Sequence, residues 1–466
     1  MTTLPYDESS PQSIAAYGLR LVGHSLRTTP GAAPFPRAKL NAKVSSNNRH
    51  GPGELVEQYY YDIHPSNAAC SPDFQAAGVE LKTSSLLVKK RVGVVPKERL
   101  VFGMIDYDRI GEEEFESSCF MSKNRLVMAL WYIHEDGVPI GDLRFHHARL
   151  IRLDDLPDED KAIIREDWEK IAERAREGHA ELLGSEATPT TYLEALTKGG
   201  AGKRRRQSKT GILARPRAFA FKINYIKTLL SRPNPNAEHL FQGGSDVSRW
   251  GFEAAVLKRF EPFLRLTELE IATALGLRDD PGGKQFRSTI AKAMIGVTKT
   301  NTVAEFERAN IEMKTIHHVN GKPQQHISFP AFRYMGPNSI SEEVWDTEDG
   351  DDERLADIRR RLQETRYLFV VFKESQGVSI LAQARFWSMP QRDIENHVHP
   401  AWERARLALE TGDWALMPRI KDSHVCHIRT HANVNEPKLP TPHNGMQTKR
   451  SFWLDMRYVS NQLGLT

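Results

Sequence analysis

The chain has 466 residues, with 64 lysines and arginines against 60 aspartates and glutamates and a formal net charge of +4. That length exceeds the size at which one hydrophobic core stops growing, so we expect two or three domains. The weakly basic balance means that any nucleic-acid surface must be local, and the absence of an apolar run of roughly 20 residues argues against a membrane span. The polar amino terminus lacks the pattern of a secretion signal.

The first half of the chain alternates between helical and strand-like patterns. Apolar residues at helical spacing predict helices over residues 13–28, 54–61 and 156–183. Period-two alternation predicts strands over residues 78–83, 100–105 and 126–133. This mixture indicates an α/β domain with a central sheet.

A segment whose composition is typical of a linker separates the two halves. Residues 231–245 run through Arg-Pro-Asn-Pro-Asn to Gly-Gly-Ser, which is typical of a linker. We therefore predict a first domain over residues 1–230 and a second over residues 246–466. Before the linker, residues 198–206 combine glycines with five cations, which suits a loop that contacts phosphates.

The most informative pattern is an internal duplication. The segment DFQAAGVELK at residues 73–82 recurs, degraded, as EFERANIEMK at residues 305–314. Asp73, Glu80 and Lys82 thus correspond to positions 305, 312 and 314, each 232 positions further along the chain. The chain therefore carries two related domains, of which the first keeps the intact pattern.

The intact pattern has a clear chemical use. Hydrolysis of a phosphodiester needs a hydroxide near neutral pH and positive charge beside the transition state, and carboxylates that hold Mg²⁺ together with a lysine provide both. Asp73 and Glu80 would bind the metal, with the backbone carbonyl of Leu81 as a further ligand, and Lys82 would orient or deprotonate the attacking water. Strand alternation puts Glu80 and Lys82 on one face.

Several further motifs occur with this pattern in one order and carry a family resemblance. They are Gly53-Glu-Leu-Val-Glu57, Asp73-Phe with Val79-Glu-Leu-Lys-Thr83, Phe115-Glu-Ser-Ser118, Lys123-Asn-Arg125, Arg165-Glu-Asp-Trp-Glu169, Thr197-Lys-Gly199 and Arg217-Ala-Phe219. Together they resemble the MutH family, which comprises GATC-specific nicking endonucleases of mismatch repair and larger Sau-type restriction endonucleases with two MutH-like domains. This chain is similar to the larger kind.

The resemblance implies roles for individual residues. Asp73 and Glu80 would bind Mg²⁺, Lys82 would serve the nucleophile, Lys123 would be an additional active-site lysine, and Glu57 would be the helix acid of the metal site. The expected DNA contacts of the first domain are Lys198, Gly199, Lys203, Arg204, Arg205, Arg206 and Arg217. Leu196 and Ala220 depart from the repair enzymes, which carry a base-reading arginine and an aromatic residue at those places.

The second domain shows the opposite pattern. Glu305 replaces the aspartate, Thr289 falls where Glu57 maps, and Glu364 replaces the second lysine, so we expect catalysis to be lost there. The expected DNA contacts are retained at Arg429, His431, Arg450 and Trp453. This domain is predicted to bind a further DNA site without cutting and to act as an allosteric domain.

The resemblance implies two tandem restriction-endonuclease-like domains, each a mixed sheet flanked by helices, in a type II restriction endonuclease that cuts double-stranded DNA at GATC with Mg²⁺. One catalytic centre per chain also suggests a DNA-induced homodimer. Two alternatives remain: a nicking endonuclease of the repair type, and a DNA-binding defence or regulatory protein that does not cut.

The cysteines and histidines indicate neither disulfide bonds nor a zinc site. Cys70, Cys119 and Cys426 lie far apart without CxxC spacing, in a chain too large to need disulfides, so we expect a reducing, cytoplasmic setting. The cluster from His424 to His443 lacks the paired ligand spacing of structural zinc sites, and no zinc is expected.

Overall fold

A computed structural model describes the chain except for residues 1–3, 32–35, 44–50, 64–69, 90–91, 185, 200–201, 232–233, 242, 278–284, 301, 347–353, 432–436, 444 and 466. The described residues divide into two compact units. The first comprises Met1–Pro233 with Phe241–Phe252, and the second comprises Asn234–Leu240 with Glu253–Thr347 and Glu353–Thr466. Within the described residues, no helix is both long and apolar enough to span a membrane.

The strands of the first unit form a mixed sheet, an antiparallel sheet and a short hairpin. They are β1 Val79–Lys89, β2 Gly93–Pro96, β3 Leu100–Met104, β4 Leu126–Ile133, β5 Phe145–Arg152, β6 Leu193–Thr197, β7 Arg205–Arg206, β8 Leu213–Ala214 and β9 Arg217–Phe221. The mixed sheet has the order β2-β1-β4-β5, in which only β1 and β4 are parallel. The order β3-β9-β6 forms the antiparallel sheet, and β7 pairs with β8.

Short helices and one long helix surround these sheets. They are α1 Pro11–Leu19, α2 Arg37–Leu40, α3 Pro52–Leu55, α4 Tyr107–Ile110, α5 Cys119–Asn124, α6 Asp158–Glu177, α7 Ile223–Leu230 and α8 Ser245–Trp250. The amphipathic α6 buries Ile163, Trp168 and Ile171. It ends at Gly178, whose φ of 83° is a left-handed conformation that glycine adopts without strain.

The second unit repeats the sheet topology of the first. Its strands are β10 Ile311–Val319, β11 Lys322–Pro323, β12 Ile327–Ser328, β13 Arg366–Ser375, β14 Val378–Trp387, β15 Cys426–Thr430, β16 Leu439–Pro440, β17 Met446–Gln447 and β18 Arg450–Leu454. The order β11-β10-β13-β14, with β10 and β13 parallel, matches that of the first mixed sheet. The order β12-β18-β15 likewise matches β3-β9-β6, so the duplication seen in sequence is a duplication of fold.

The helices of the second unit lie mostly before β10 and after β14. They are α9 Phe252–Lys258, α10 Glu268–Ala274, α11 Phe286–Met294, α12 Ala304–Ala309, α13 Asp357–Glu364, α14 Gln391–Asp393, α15 His399–Thr411 and α16 Met456–Gln462. A buried cluster that includes Phe369, Trp387 and Trp402 forms the core of this unit. The predicted α/β class, with a mixed sheet flanked by helices in each half, is confirmed.

The predicted elements of the first half agree with the structure to different degrees. The strand predicted over residues 126–133 is β4, while β1 continues six residues past its predicted end at residue 83. The helix predicted over residues 54–61 is α3 followed by a π-helical turn, Val56–Tyr60. The helix predicted over residues 13–28 ends as α1 at Leu19, and the chain beyond it turns to bridge β5 near Phe145.

The expectation of unpaired cysteines is wrong for two of the three. Cys70 and Cys119 form a disulfide, with their Cα atoms 4.8 Å apart, although 49 positions separate them in sequence. Cys426 is free and buried in the second unit. Sequence spacing could not indicate the pair because the two cysteines meet only through the packing of α5 beside the segment that precedes β1.

Candidate active site

Parallel pairing of β1 and β4 assembles the candidate site. Glu80 is the second residue of β1, and Lys123 lies in α5, three residues before β4 begins. Because parallel strands begin at the same edge of a sheet, the two side chains meet there. Lys123 Nζ lies 3.4 Å from Glu80 Oε1, and Lys82 Nζ donates to the same oxygen.

Asp73 is held against the same edge by backbone hydrogen bonds. The Leu81 N–H donates to Asp73 Oδ2 at 2.9 Å, and the Asp73 N–H donates to Glu80 Oε2 at 3.1 Å. Phe74 and Val79 form an isolated antiparallel bridge that closes the intervening turn. The motif residues Asp73, Glu80 and Lys82, together with Lys123, therefore share one network of hydrogen bonds and ion pairs.

The carboxylates of this network repel one another in a buried setting. Glu80 is 1 % exposed, and burial raises its pKa to about 7, a rise that Asp73 increases and that Lys82 and Lys123 oppose. Burial also raises the pKa of Glu57, and the charge of Asp73 adds to that rise. Glu57, on the π-helical turn, is thus near enough to interact electrostatically with Asp73.

These residues suit a hard divalent cation. Within the described ranges, no three His, Cys, Asp or Glu side chains already stand close enough to hold a metal ion. Asp73 and Glu80 nonetheless offer carboxylate oxygens, the ligands that Mg²⁺ and similar ions prefer. Burial raises the pKa values of Glu57 and Glu80, the charge of Asp73 adds to both rises, and a bound cation would offset both effects. The donor set therefore fits such an ion.

A recess of about 270 Å³ opens beside Lys123. It is lined by Lys123 together with Met104, Asp106, Arg109 and Arg205, among others. Met104 is 49 % exposed at the end of β3. The recess thus lies between Lys123 and the hairpin of β7 and β8, and no pattern in the sequence indicates that β3 contributes to this surface.

The predicted DNA contacts of the first unit occupy two different environments. Lys198, Lys203, Arg204, Arg205 and Arg206 are exposed, and the last two form β7. Gly199 has a φ of 82°, which favours glycine at that turn. Arg217 is half-buried and donates to the Ala195 carbonyl oxygen at 3.0 Å, so part of its donor capacity supports β6.

The corresponding positions of the second unit are not arranged as a site. Glu305 is fully buried, and its carboxylate accepts the Leu240 N–H at 3.1 Å. Glu312 and Lys314 pair with each other at 2.9 Å and are about half exposed. Glu364 lies at the end of α13, where Lys123 lies in the first unit. Glu305, the residue that corresponds to Asp73 in the duplication, therefore has a structural role in the second unit.

The predicted DNA contacts of the second unit form an aromatic and cationic group. Arg429 lies over the Trp453 ring, 5.1 Å from its centroid, and the His431 ring lies 5.8 Å from that ring. Arg450 lies 5.6 Å over Trp414. Arg429 and His431 are exposed, whereas Arg450 and Trp453 are half-buried.

Comparison with known proteins agrees with this geometry. Residues 63–167, which include all four residues of the network, match the family model described as DNA mismatch repair enzyme MutH. The chain is also 29 % identical over 459 residues to the type II restriction enzyme Sau3AI of Staphylococcus aureus, a match that covers 88 % of this chain and 91 % of that enzyme. The chain is thus similar to a mismatch repair enzyme over residues 63–167 and to a type II restriction enzyme over most of its length.

Proposed function

We propose that the chain is a type II restriction endonuclease that hydrolyses both strands of DNA at GATC with Mg²⁺. The observation that carries the proposal is the meeting of Asp73, Glu80, Lys82 and Lys123 at one edge of the mixed sheet. Two acids beside two lysines serve phosphodiester hydrolysis, whereas a protein that only binds DNA has no use for a buried acid with a raised pKa.

Each residue of the network has a role in the proposed reaction. Asp73 and Glu80 would hold the cation, with the Leu81 carbonyl and Glu57 as further ligands. When bound, the cation lowers the pKa of water and stabilises negative charge on the phosphate. Lys82 orients the attacking water and, in its neutral amine form, receives the proton of that water. Lys123 stabilises the charge that develops on the phosphate oxygens.

The exposed cations of the first unit bind the DNA backbone. Lys198 and the run from Lys203 to Arg206 supply phosphate contacts that fix the register of the duplex. In the second unit, Arg429 reads a base beside the Trp453 ring, because an arginine can bond both acceptors of guanine. This unit binds a further DNA site and does not cut, since Glu305 is committed to the Leu240 N–H.

Plasmid cleavage tests the proposal with a matched control. Supercoiled plasmids with zero, one or two GATC sites are incubated with Mg²⁺ and the wild-type chain, Lys82→Ala or Lys314→Ala. We expect Lys82→Ala to bind DNA without cutting it, whereas Lys314→Ala, at the paired position of the second unit, still cuts. Intact plasmid with the wild-type chain under all conditions would refute the proposal.

A nicking endonuclease is the second candidate, and it rests on the single intact network in a chain of two units. Nicked circles that are never linearised, even on plasmids with two sites, would favour it over the restriction enzyme. If the chain instead cuts both strands, analytical ultracentrifugation with a GATC duplex should show two chains per DNA.

A further inference from the structure

The disulfide lies between the two sides of the candidate active site. Cys70 precedes Asp73 by three residues, and Cys119 is the first residue of α5, four residues before Lys123. Neither cysteine belongs to the motif that resembles the family. The bond therefore joins the segment that carries one acid of the network to the helix that carries the second lysine.

Each element that the disulfide joins is also held by a buried aromatic side chain: Phe74 contacts Tyr61, and Phe120 of α5 contacts Phe102. Asp73 itself is held by its two hydrogen bonds to the start of β1, beside the bridge between Phe74 and Val79. The helix α5 has only six residues and is capped by Ser118, whose Oγ accepts the Met121 N–H at 3.2 Å. A short helix of this kind depends on tertiary contacts for its position.

We propose that Cys70 and Cys119 are positioning residues of the catalytic centre, and that their disulfide fixes the Asp73 carboxylate relative to the Lys123 ammonium group. The inference rests on the proposed nuclease function for its consequence in cleavage. The oxidised chain holds the network assembled and binds the divalent cation well. The dithiol chain lets the Asp73 segment move away from β1, and its affinity for the cation falls.

The redox step needs only a small disulfide as the oxidant. Both cysteines are half-buried, so a small molecule can reach them. The Cys70 and Cys119 thiols give up two electrons and two protons as their S–S bond forms, and the S–S bond of the small disulfide breaks to give two thiols. Dithiol reagents reverse the same exchange.

Cys426 supplies a matched control for the chemistry. It lies in the second unit, is fully buried, and burial raises the pKa of its thiol to about 12. A thiol of this kind reacts slowly because the thiolate is the reactive form. Cys426→Ser should therefore respond to oxidant and reductant as the wild-type chain does.

The test compares oxidised and reduced chains by two independent measurements. The wild-type chain, the Cys70→Ser/Cys119→Ser double variant and Cys426→Ser are each treated with glutathione disulfide or with a phosphine reductant. Hydrogen exchange is measured on the peptide that contains Leu81, whose N–H donates to Asp73. The Mg²⁺ concentration for half-maximal cleavage is measured on the same samples, with DNA affinity in EDTA as the readout that should not change.

We expect reduction to speed exchange at Leu81 and to weaken the apparent Mg²⁺ affinity by about tenfold, the lower end of the effect of losing a supporting residue around a metal site. The double variant should match the reduced wild-type chain and ignore oxidant, and reoxidation should restore the wild-type chain. Equal exchange and equal Mg²⁺ dependence in both redox states would overturn the proposal. Absence of cleavage in every sample would refute the nuclease function alone, since exchange at Leu81 still decides the positioning role.

Discussion

The buried, ionised carboxylate of Glu80 should lower the free energy of unfolding of the metal-free chain. The carboxylate is 1 % exposed and its pKa is about 7, against about 4.5 for an unperturbed glutamate. Each unit of pKa difference corresponds to roughly 1.4 kcal/mol, so ionised Glu80 destabilises the metal-free fold by up to about 3 kcal/mol. Glu80→Gln should therefore raise the free energy of unfolding by up to about that amount at pH 8, while abolishing cleavage.

The sign of the pH dependence follows from the raised pKa. Between about pH 4.5 and 7 the folded chain binds a proton at Glu80 that the unfolded chain has released, so the contribution of Glu80 to stability falls as the pH rises through that window. The gain from Glu80→Gln should be largest above pH 7 and should nearly vanish near pH 4.5.

Urea unfolding in EDTA at pH 5.5 and pH 8 measures this effect. The matched control is Glu312→Gln, at the paired position of the second unit, where the side chain is about half exposed and the change should be near zero. If Glu80→Gln is no more stable than the wild-type chain at pH 8, then Lys82 and Lys123 already compensate the buried charge. The reasoning from burial would then be wrong.

Three further predictions concern other parts of the chain. Asp167 is buried and accepts hydrogen bonds from the N–H groups of Thr191, Tyr192 and Leu193. Asp167→Ala should therefore lower the free energy of unfolding in urea by about 3 kcal/mol or more. The control Glu173→Ala, on the exposed face of the same helix, should change that free energy by less than about 0.5 kcal/mol. Burial lowers the pKa of His427 to about 4, so the free energy of unfolding should fall as the pH drops from about 6.5 to 4. His427→Gln should remove up to about 3 kcal/mol of that fall, measured by urea unfolding across this pH range. An unchanged pH profile in the variant would contradict this prediction. Arg429→Ala should weaken binding of a second DNA site by roughly tenfold to a hundredfold. We expect the wild-type chain to cut two-site plasmids faster than one-site plasmids, and Arg429→Ala should remove that difference. An unchanged ratio of the two cleavage rates would contradict a DNA-reading role.

Much of the fold could be predicted because its patterns are local. Period-two alternation predicts the strands β1 and β4, and apolar residues at helical spacing predict α6. The displacement of 232 positions predicted two related domains, and the repeated strand order of the mixed sheets bears out the duplication. The first helix was predicted too long because its apolar spacing continues past Leu19, where tertiary contacts with β5 turn the chain.

The candidate site was predicted in its composition but not in its surroundings. Asp73, Glu80 and Lys82 lie close in sequence, so a motif could identify them. The recess beside Met104, the partial use of Arg217 in supporting β6, and the Cys70–Cys119 disulfide all join segments that are distant in sequence. No periodicity relates such positions, and only packing brings them together.

The sequence by itself determined which chemical groups the candidate site contains, since carboxylate and ammonium groups at fixed spacing on one strand face follow from strand geometry alone. The tertiary structure decided where that chemistry is assembled. Parallel pairing of β1 with β4 brings Lys123 to Glu80, and the same pairing in the second unit leaves Glu312 and Lys314 exposed while Glu305 is buried against Leu240. Burial and partner choice depend on every neighbouring segment at once, which is why two related motifs have such different environments.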